Sequence, residues 1–234
     1  EDIPNEQPLM FLAADHLIDK VGLFHKVIKD IPNEQPLIFL TADHLMDKVS
    51  LFNKAITKNR KKLTQNNIFI FGIKPTTPSS EFGYFLTKKN KGNINKVSRF
   101  LEKPNKLKAK QIIKKKGYWN SGMLFLRKDS IINNFKRYEP NLFRNCYKAV
   151  LRANNKSNVL FLNKKYFIKA TSKSFDYAIL EKTKNVNANK LNMSWSDLGS
   201  WKEILLMFYK NKKKYFNKKN IYHRPWGSYI NLYS

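Results

Sequence analysis

An apolar run of strand length, PLIFLTAD at 36–43, gives way to HLMDKVSLFNKAITKNRKKL, in which Leu45, Val49, Phe52 and Ile56 recur at helical spacing. The pattern predicts a strand and then a helix. IFIFGI at 68–73 reads as a second buried strand, GYFLT at 83–87 and NKVSRFLEK at 95–103 are candidates for two more, and KLKAKQIIKKK at 106–116 is a short helix. YWNSGMLFLR at 118–127 predicts a further strand, and DSIINNFKRY at 129–138 opens with the Asp-Ser chemistry of a helix N-terminus. Two late helices are predicted, in SFDYAILEKT at 174–183 and GSWKEILLMFYK at 199–210. Strands interleaved with helices point to an α/β sheet, largely parallel, with ligands expected at the carboxyl ends of its strands.

The chain also repeats itself: PLMFLAADHLIDKVGLF at 8–24 returns as PLIFLTADHLMDKVSLF at 36–52. Repeat arrays need about three units before neighbours bury a common core, and this pattern stops after two copies. The second copy runs straight into the remaining strands, so it takes the working position. In the first copy Leu17, Val21, Phe24 and Ile28 mark one face of a helix, which predicts a right-handed βαβ crossover from PLMFLAA to PLIFLTA.

Composition narrows the class. With 234 residues, 42% hydrophobic and 14% aromatic, the chain can bury a core. A single cysteine, Cys146, excludes an internal disulfide framework and a cysteine-based zinc site, which makes a reducing, cytoplasmic setting the expectation. No apolar run approaches the ~20 residues that span a bilayer, so no membrane partner is expected. The net charge of +28 raises nucleic acid as a partner. The basic runs, NRKKL at 59–63, KKNK at 88–91, IKKK at 113–116 and KNKKKYFNKKN at 210–220, are scattered between elements with Asn as companion. That distribution suits solvated faces and leaves a basic nucleic-acid-binding protein as the weaker alternative.

Several residues carry candidate chemistry, each beside a plainer reading. Asp43 directly follows an apolar strand, where an α/β sheet presents ligands, and an Asp there equally serves as a helix cap. Asp197 in WSDLGSW can likewise cap the helix holding Trp201. Glu102 and Lys103 in EKP read as an exposed charged pair before a proline turn. Asn120 and Gly122 in WNSGM read as a turn or bulge, and Asp176 as a carboxylate at a helix start.

In order and spacing, FLTADH (39–44), FGIKPTTPSSEFGYF (71–85), VSRFLEKPN (97–105), YWNSGMLFLR (118–127), SFDYAILEKT (174–183), WSDLGSW (195–201) and HRPWGSY (223–229) resemble the guanylyltransferases that act on mannose 1-phosphate, above all the bacterial type that also carries a phosphomannose isomerase domain. The resemblance covers nearly everything from residue 36 onward. It implies a Rossmann-like, mainly parallel sheet of the nucleotide-sugar transferase type. It also implies the reaction: mannose 1-phosphate attacks the α-phosphate of GTP, giving GDP-mannose and pyrophosphate for polysaccharide biosynthesis. Such transfer rests on alignment and charge neutralisation. By the same resemblance Asp43 and Asp197 bind Mg2+, Lys103 meets the sugar's phosphate, Glu102 and Asn120 hold sugar hydroxyls, and Gly83, Tyr84, Gly122 and Asp176 complete the sugar site. Asp15 in the first repeat has the local sequence of Asp43, but both cannot fill one site; His16 and His44 are given no proton-transfer role.

Departures from the family pattern shape further expectations. Ser79, Ser80, Glu81, Phe82, Gly83 and Tyr84 stand where related sequences have Glu-Thr-Gly-Tyr-Gly-Tyr, so Glu81 brings bulk and negative charge toward an anionic substrate. The glycine-rich loop that wraps the nucleotide's phosphates after the first strand is absent, with no glycine before Gly22. The first repeat is therefore expected to pack where the family's first strand would lie, beside residues 37–42. The chain opens at Glu1 rather than Met, and YHRPWGSYINLYS resembles the entry into the isomerase domain; both lead to the expectation of a piece cut at each end. The expected domains are a duplicated βα unit (1–29), a nucleotidyltransferase-like domain (30–220) and an isomerase stub (221–234). A catalytically inactive sugar-phosphate-binding remnant is the main alternative function, and a homo-oligomer stays open.

Overall fold

The computed structural model describes residues 10–13, 31–41, 43–88, 95–156, 159–198, 205, 209, 221–224 and 227–230. In chain order the elements are β1 (Met10–Ala13), β2 (Pro36–Leu40), β3 (Leu45–Met46), α1 (Val49–Arg60), β4 (Ile68–Ile73), β5 (Tyr84–Lys88), β6 (Asn95–Leu101), α2 (Lys106–Lys114), β7 (Tyr118–Arg127), α3 (Lys128–Tyr138), α4 (Pro140–Leu151), β8 (Asn154–Lys156), β9 (Val159–Phe161), α5 (Lys164–Phe167), a wide π-helical turn (Asp176–Leu180), β10 (Val186–Leu191), β11 (Trp195–Ser196), β12 (Ile221–Arg224) and β13 (Gly227–Ile230). Among the described residues no helix is long and apolar enough to cross a membrane.

Seven strands form one sheet in the order β1-β2-β7-β4-β10-β6-β5. The sheet is mixed. Pairing is parallel between β1 and β2 and between β4 and β10, and antiparallel where β7 or β6 meets a neighbour. Thus β1, β2, β4, β10 and β5 share one direction, while β7 and β6 oppose it. The expectation of a largely parallel sheet holds for strand direction; the antiparallel β7 and β6 are what make the ladders mixed.

The first repeat pairs as expected, Met10 opposite Leu37 through Ala13 opposite Leu40, in a parallel ladder. Two near-identical sequences thus lie side by side at the edge of the sheet, one residue out of step: Met10, which matches Ile38 in the repeat, stands opposite Leu37. The helix expected at 17–28, together with Asp15 and His16, lies outside the described residues, as does most of the helix expected at 199–210.

Helices cover both faces, which explains why β2, β4 and the second half of β7, Met123–Leu126, read as unbroken apolar runs rather than alternating ones. Leu37, Phe39, Ile68, Ile70, Leu124 and Leu126 point to one side, against Ile131, Phe135, Leu142 and Cys146 of α3 and α4. Ile38, Phe69, Phe71 and Phe125 point to the other, against Phe52 and Ile56 of α1 and Ala109 and Ile112 of α2. A register shift between Ile70 and Gly72 interrupts the β4–β7 ladder, after which Gly72 faces Asn120. Bulges of this kind re-aim side chains, here at a residue of the candidate site.

Two compact units emerge: residues 1–42 with 46–195, holding the main sheet, and residues 43–45 with 196–234, which include the β12–β13 hairpin.

Candidate functional site

In the larger unit four sequence-predicted residues meet at one corner. β5 and β6 pair with Tyr84 opposite Leu101, so Gly83 just before β5 and Glu102 just after β6 flank the same ladder. β5 also reaches β7, Tyr84 opposite Trp119, which brings in Asn120. The Asn120 amide N–H donates to the Gly83 carbonyl at 2.7 Å, and its side-chain Nδ2 donates to Asp176 Oδ1 at 3.0 Å.

Gly83 is required by this closeness. A Cβ there would stand 2.4 Å from Glu102 Oε2, inside any allowed contact, with the Phe100 ring at 3.2 Å. Lys103, exposed, sits at φ 42 although it precedes Pro104, a conformation that L residues adopt at a cost. Strain of that sort persists where the surroundings over-determine it, and the neighbouring contacts supply the reason. Gly122 takes φ 74 within β7, a region open to glycine.

The electrostatics are unusual for exposed loops. Burial first, then the nearby Asp176 and Glu181 carboxylates, push Glu102 up to about 8, with Lys103 opposing. Burial also raises Asp176 to about 6, against Lys103 and the hydrogen bond from Asn120. Two neighbouring acids therefore hold protons more tightly than free carboxyls, and a protonated carboxyl can donate as well as accept. Asn120 is 6% exposed, and its Oδ1 is buried without a hydrogen-bond partner among the described residues. A buried amide oxygen in that state awaits a donor such as a hydroxyl. A cavity of about 600 Å3 opens at the corner, with Glu102, Lys103, Ser174, Tyr177 and Glu181 in its lining.

Tyr84 lies beneath this nest, fully buried, and its hydroxyl donates to the Ser79 carbonyl at 2.9 Å, tying the altered 79–84 loop to the sheet. Phe82 in that loop packs edge-on against Trp119 and Trp195, with centroids at 4.9 and 5.2 Å. Glu81 itself is exposed, and its N–H donates to Ser79 Oγ at 3.1 Å.

Glu181 was given no role by the sequence. Its Oε1 accepts the Glu102 backbone N–H at 2.9 Å, joining the end of the π-helical turn to the end of β6. Its traces in the sequence are its place inside the motif SFDYAILEKT and its spacing, five positions after Asp176, which a wide helical turn brings to one side.

Asp43 and Asp197 both belong to the smaller unit. Asp43 comes two residues before β3, Asp197 directly after β11, and those two strands pair. Within the larger unit the ladder's far end is pinned by Asp47, whose N–H donates to the Ser194 carbonyl at 3.3 Å and whose Oδ1 accepts from Ser194 N at 2.8 Å. The Asp43 side chain is 51% exposed, with its Oδ1 3.9 Å from His44 Nε2. Asp197 Oδ1 is buried without a hydrogen-bond partner among the described residues, and the following Leu198 takes φ 44. A buried carboxyl oxygen with no donor suits a cation. Among the described residues no group of three or more His, Cys, Asp or Glu could hold a metal. Magnesium asks for less: one or two carboxylates, with water and phosphate oxygens completing its shell. Asp43 and Asp197 fit that demand.

A Rossmann-like sheet with acid and amide groups gathered at strand ends defines an α/β enzyme fold of nucleotidyltransferase type. Residues 14–214 match the family described as nucleotidyl transferase, and the chain belongs to that family. Members generally use a divalent metal. Its relatives include the mannose-1-phosphate guanylyltransferase of Escherichia coli, 32% identical over 208 residues, which are 86% of this chain and 39% of the relative. The xanthan biosynthesis protein XanB of Xanthomonas campestris pv. campestris (strain B100) is 32% identical over 152 residues, 64% of this chain and 32% of the relative. The chain thus spans less than half the length of these relatives. Among solved structures, mannose-1-phosphate geranyltransferase from Thermus thermophilus aligns with a TM-score of 0.68 at 19% identity, covering 86% of this chain and 63% of that one. Mannose-6-phosphate isomerase from Helicobacter pylori aligns with a TM-score of 0.65 at 23% identity, covering 80% and 73%. At such identities both show the fold.

Proposed function

We propose that the chain transfers a guanylyl group from GTP to mannose 1-phosphate, giving GDP-mannose and pyrophosphate. The observation that carries this reading is the corner where Glu102 and Asn120 converge across the bare Cα of Gly83. It offers donors and acceptors at short range, as a polyhydroxylated ring requires. Asn120 Oδ1 accepts from one hydroxyl, and Glu102, protonated near neutral pH, donates to or accepts from another. Asp176 holds the Asn120 amide in orientation through its 3.0 Å bond. Lys103, beside them, places an ammonium against the sugar's phosphate as a point charge.

In the transfer itself a phosphate oxygen of mannose 1-phosphate forms a bond to the α-phosphorus of GTP, and the bond from that phosphorus to the bridging oxygen breaks, releasing pyrophosphate. The protein's share is alignment of the attacking oxygen and neutralisation of charge. Asp43 and Asp197 would hold Mg2+, which supplies positive charge to the phosphate oxygens as they crowd together. We place the protein in nucleotide-sugar supply for polysaccharide synthesis, acting in the cytoplasm.

Incubation of the chain with GTP, MgCl2 and mannose 1-phosphate, followed by chromatography for GDP-mannose, tests the reaction. GDP-mannose with equimolar pyrophosphate is the expected result. Heat of mannose 1-phosphate binding without any product would keep the sugar nest and remove the transfer.

A further inference from the structure

The acids of the nest do not act alone. Glu181, outside every role so far considered, stands at the exit of the Asp176–Leu180 turn with its carboxylate on the Glu102 backbone N–H. We propose that Glu181 is a positioning residue for sugar-phosphate recognition: it fixes the Glu102–Lys103 corner from below and lends its charge to the two acids that face the sugar. The inference rests on the sugar-phosphate reading of the corner.

Three observations point the same way. First, the corner needs an anchor. Lys103 holds φ 42 ahead of a proline, and nothing in its own sequence favours that state. A charge-assisted hydrogen bond from the preceding N–H to Glu181 stabilises that geometry, because such bonds exceed neutral ones in strength. Second, the anchor comes from the element that carries Asp176. One helical turn thereby sets both Asp176, bonded to Asn120, and the backbone that carries Glu102. Third, Glu181 lines the same cavity as Glu102 and Lys103, where Lys173 and Lys182 also stand.

The electrostatic share follows from the groups that face each acid. Glu102 meets Asp176, Lys103 and Glu181; Asp176 meets Lys103, Asn120 and Glu181. In both sets Glu181 raises the affinity for a proton and Lys103 lowers it. Glu181 thus helps keep Glu102 in the protonated form that can donate to hydroxyls, and raises the affinity of Asp176 for a proton.

Two substitutions separate the two shares. Glu181→Gln keeps an oxygen acceptor for the Glu102 N–H and removes the charge; Glu181→Ala removes both. Glu181 is exposed, so neither is expected to disturb folding. Carboxyl titrations of the ligand-free chain by NMR should place Glu102 and Asp176 at lower pH in Glu181→Gln, by about half a unit or more. Amide hydrogen exchange at Glu102 should stay slow in Glu181→Gln and rise at least about tenfold in Glu181→Ala. Unmoved titrations in Glu181→Gln, or unchanged exchange in Glu181→Ala, would overturn the proposal. Calorimetry with mannose 1-phosphate across pH 6–9 then reads the consequence: Glu181→Gln should lose binding at lower pH than the parent chain. Absence of mannose 1-phosphate binding by the parent refutes the sugar-phosphate reading, whereas the two ligand-free measurements judge Glu181 by themselves.

Discussion

The sugar nest and the aspartate pair solve opposite problems. At the nest, Gly83, Glu102, Asn120, Asp176 and Glu181 are joined by short contacts that leave only the neutral Asn120 amide oxygen unmet among the described residues, and burial drives the acids toward neutrality. At the pair, Asp43 stands half exposed and Asp197 buries an oxygen that nothing among the described residues answers. In our reading the nest meets uncharged hydroxyls, which suits acids whose affinity for a proton is raised, Glu102 most of all. In our proposal the pair holds a cation, and the unmet Asp197 oxygen is the atom that would meet it. Carboxyl groups alike in sequence thus meet different surroundings: at the nest desolvation among like charges raises their affinity for a proton, while at the pair one side chain stands half exposed and the other buries a single oxygen.

The sharpest way to break this comparison is to remove charge from each region in turn. Asp43→Asn and Asp197→Asn should each cut GDP-mannose formation on the order of a hundredfold or more, since metal-bound charge supplies several kcal/mol of transition-state stabilisation. Calorimetric binding of mannose 1-phosphate without metal should survive both changes. If Asp197→Asn abolished metal-free sugar-phosphate binding as well, the two regions would not have separate tasks.

A smaller effect is expected from one methyl group. Gly83→Ala puts a Cβ 2.4 Å from Glu102 Oε2, and the carboxyl, being the far end of a flexible side chain, must swing away. Affinity for mannose 1-phosphate should fall about tenfold, which corresponds to about 1.4 kcal/mol. The melting temperature should hardly change, because the Phe100 ring at 3.2 Å and Asn120 Cβ at 3.4 Å need only small adjustments. A large loss of stability with intact binding would mean that Gly83 serves the sheet rather than the sugar.

How far the sequence reveals these features depends on the physical signal each leaves. Strands 68–73 and 118–127 are legible to the residue, the first from an unbroken apolar run and the second from the aromatic pair and the MLFL run on either side of Asn120–Gly122, each bounded by polar turns. β10 escapes. Its sequence, VNANKL, buries Val186, Ala188 and Leu191 but shows Asn and Lys between them, and too few apolar residues remain to signal a strand. α4 escapes for a different reason: its opening Pro140 reads as a break, although Pro at the first helical position is favourable. At the nest, Glu102, Asn120 and Asp176 are legible through motif order, while Glu181 is not, because an acid at a helix end is nearly always solvated. Glu81 shows the converse. Its charge suggested interference with an anionic substrate, yet its side chain is exposed while Phe82 turns inward onto two tryptophans.

The smallest effect concerns pH, and it separates the nest from an ordinary ion pair on the same chain. Glu102 is pushed from 4.5 to about 8 and Asp176 from 3.8 to about 6, so the folded chain binds more protons than the unfolded one across that interval. Stability contributed by these groups is then complete below the unfolded values and declines as pH rises through the folded ones. Glu139 runs the other way: burial works against its charge, but hydrogen bonds from Lys173, at 2.7 Å, and Lys182 hold it below 4.5, so its contribution is lost only as pH falls through that lower value. Urea unfolding between pH 5 and pH 8 should therefore show declining stability in the parent chain and a flatter profile in Glu102→Gln, which imitates the protonated acid. Glu139→Gln should instead reduce stability throughout that range with the slope kept. If Glu102→Gln left the slope unchanged, the carboxyl would be ionised in the folded chain, and the nest would have to bind its sugar as an anionic site like the aspartate pair.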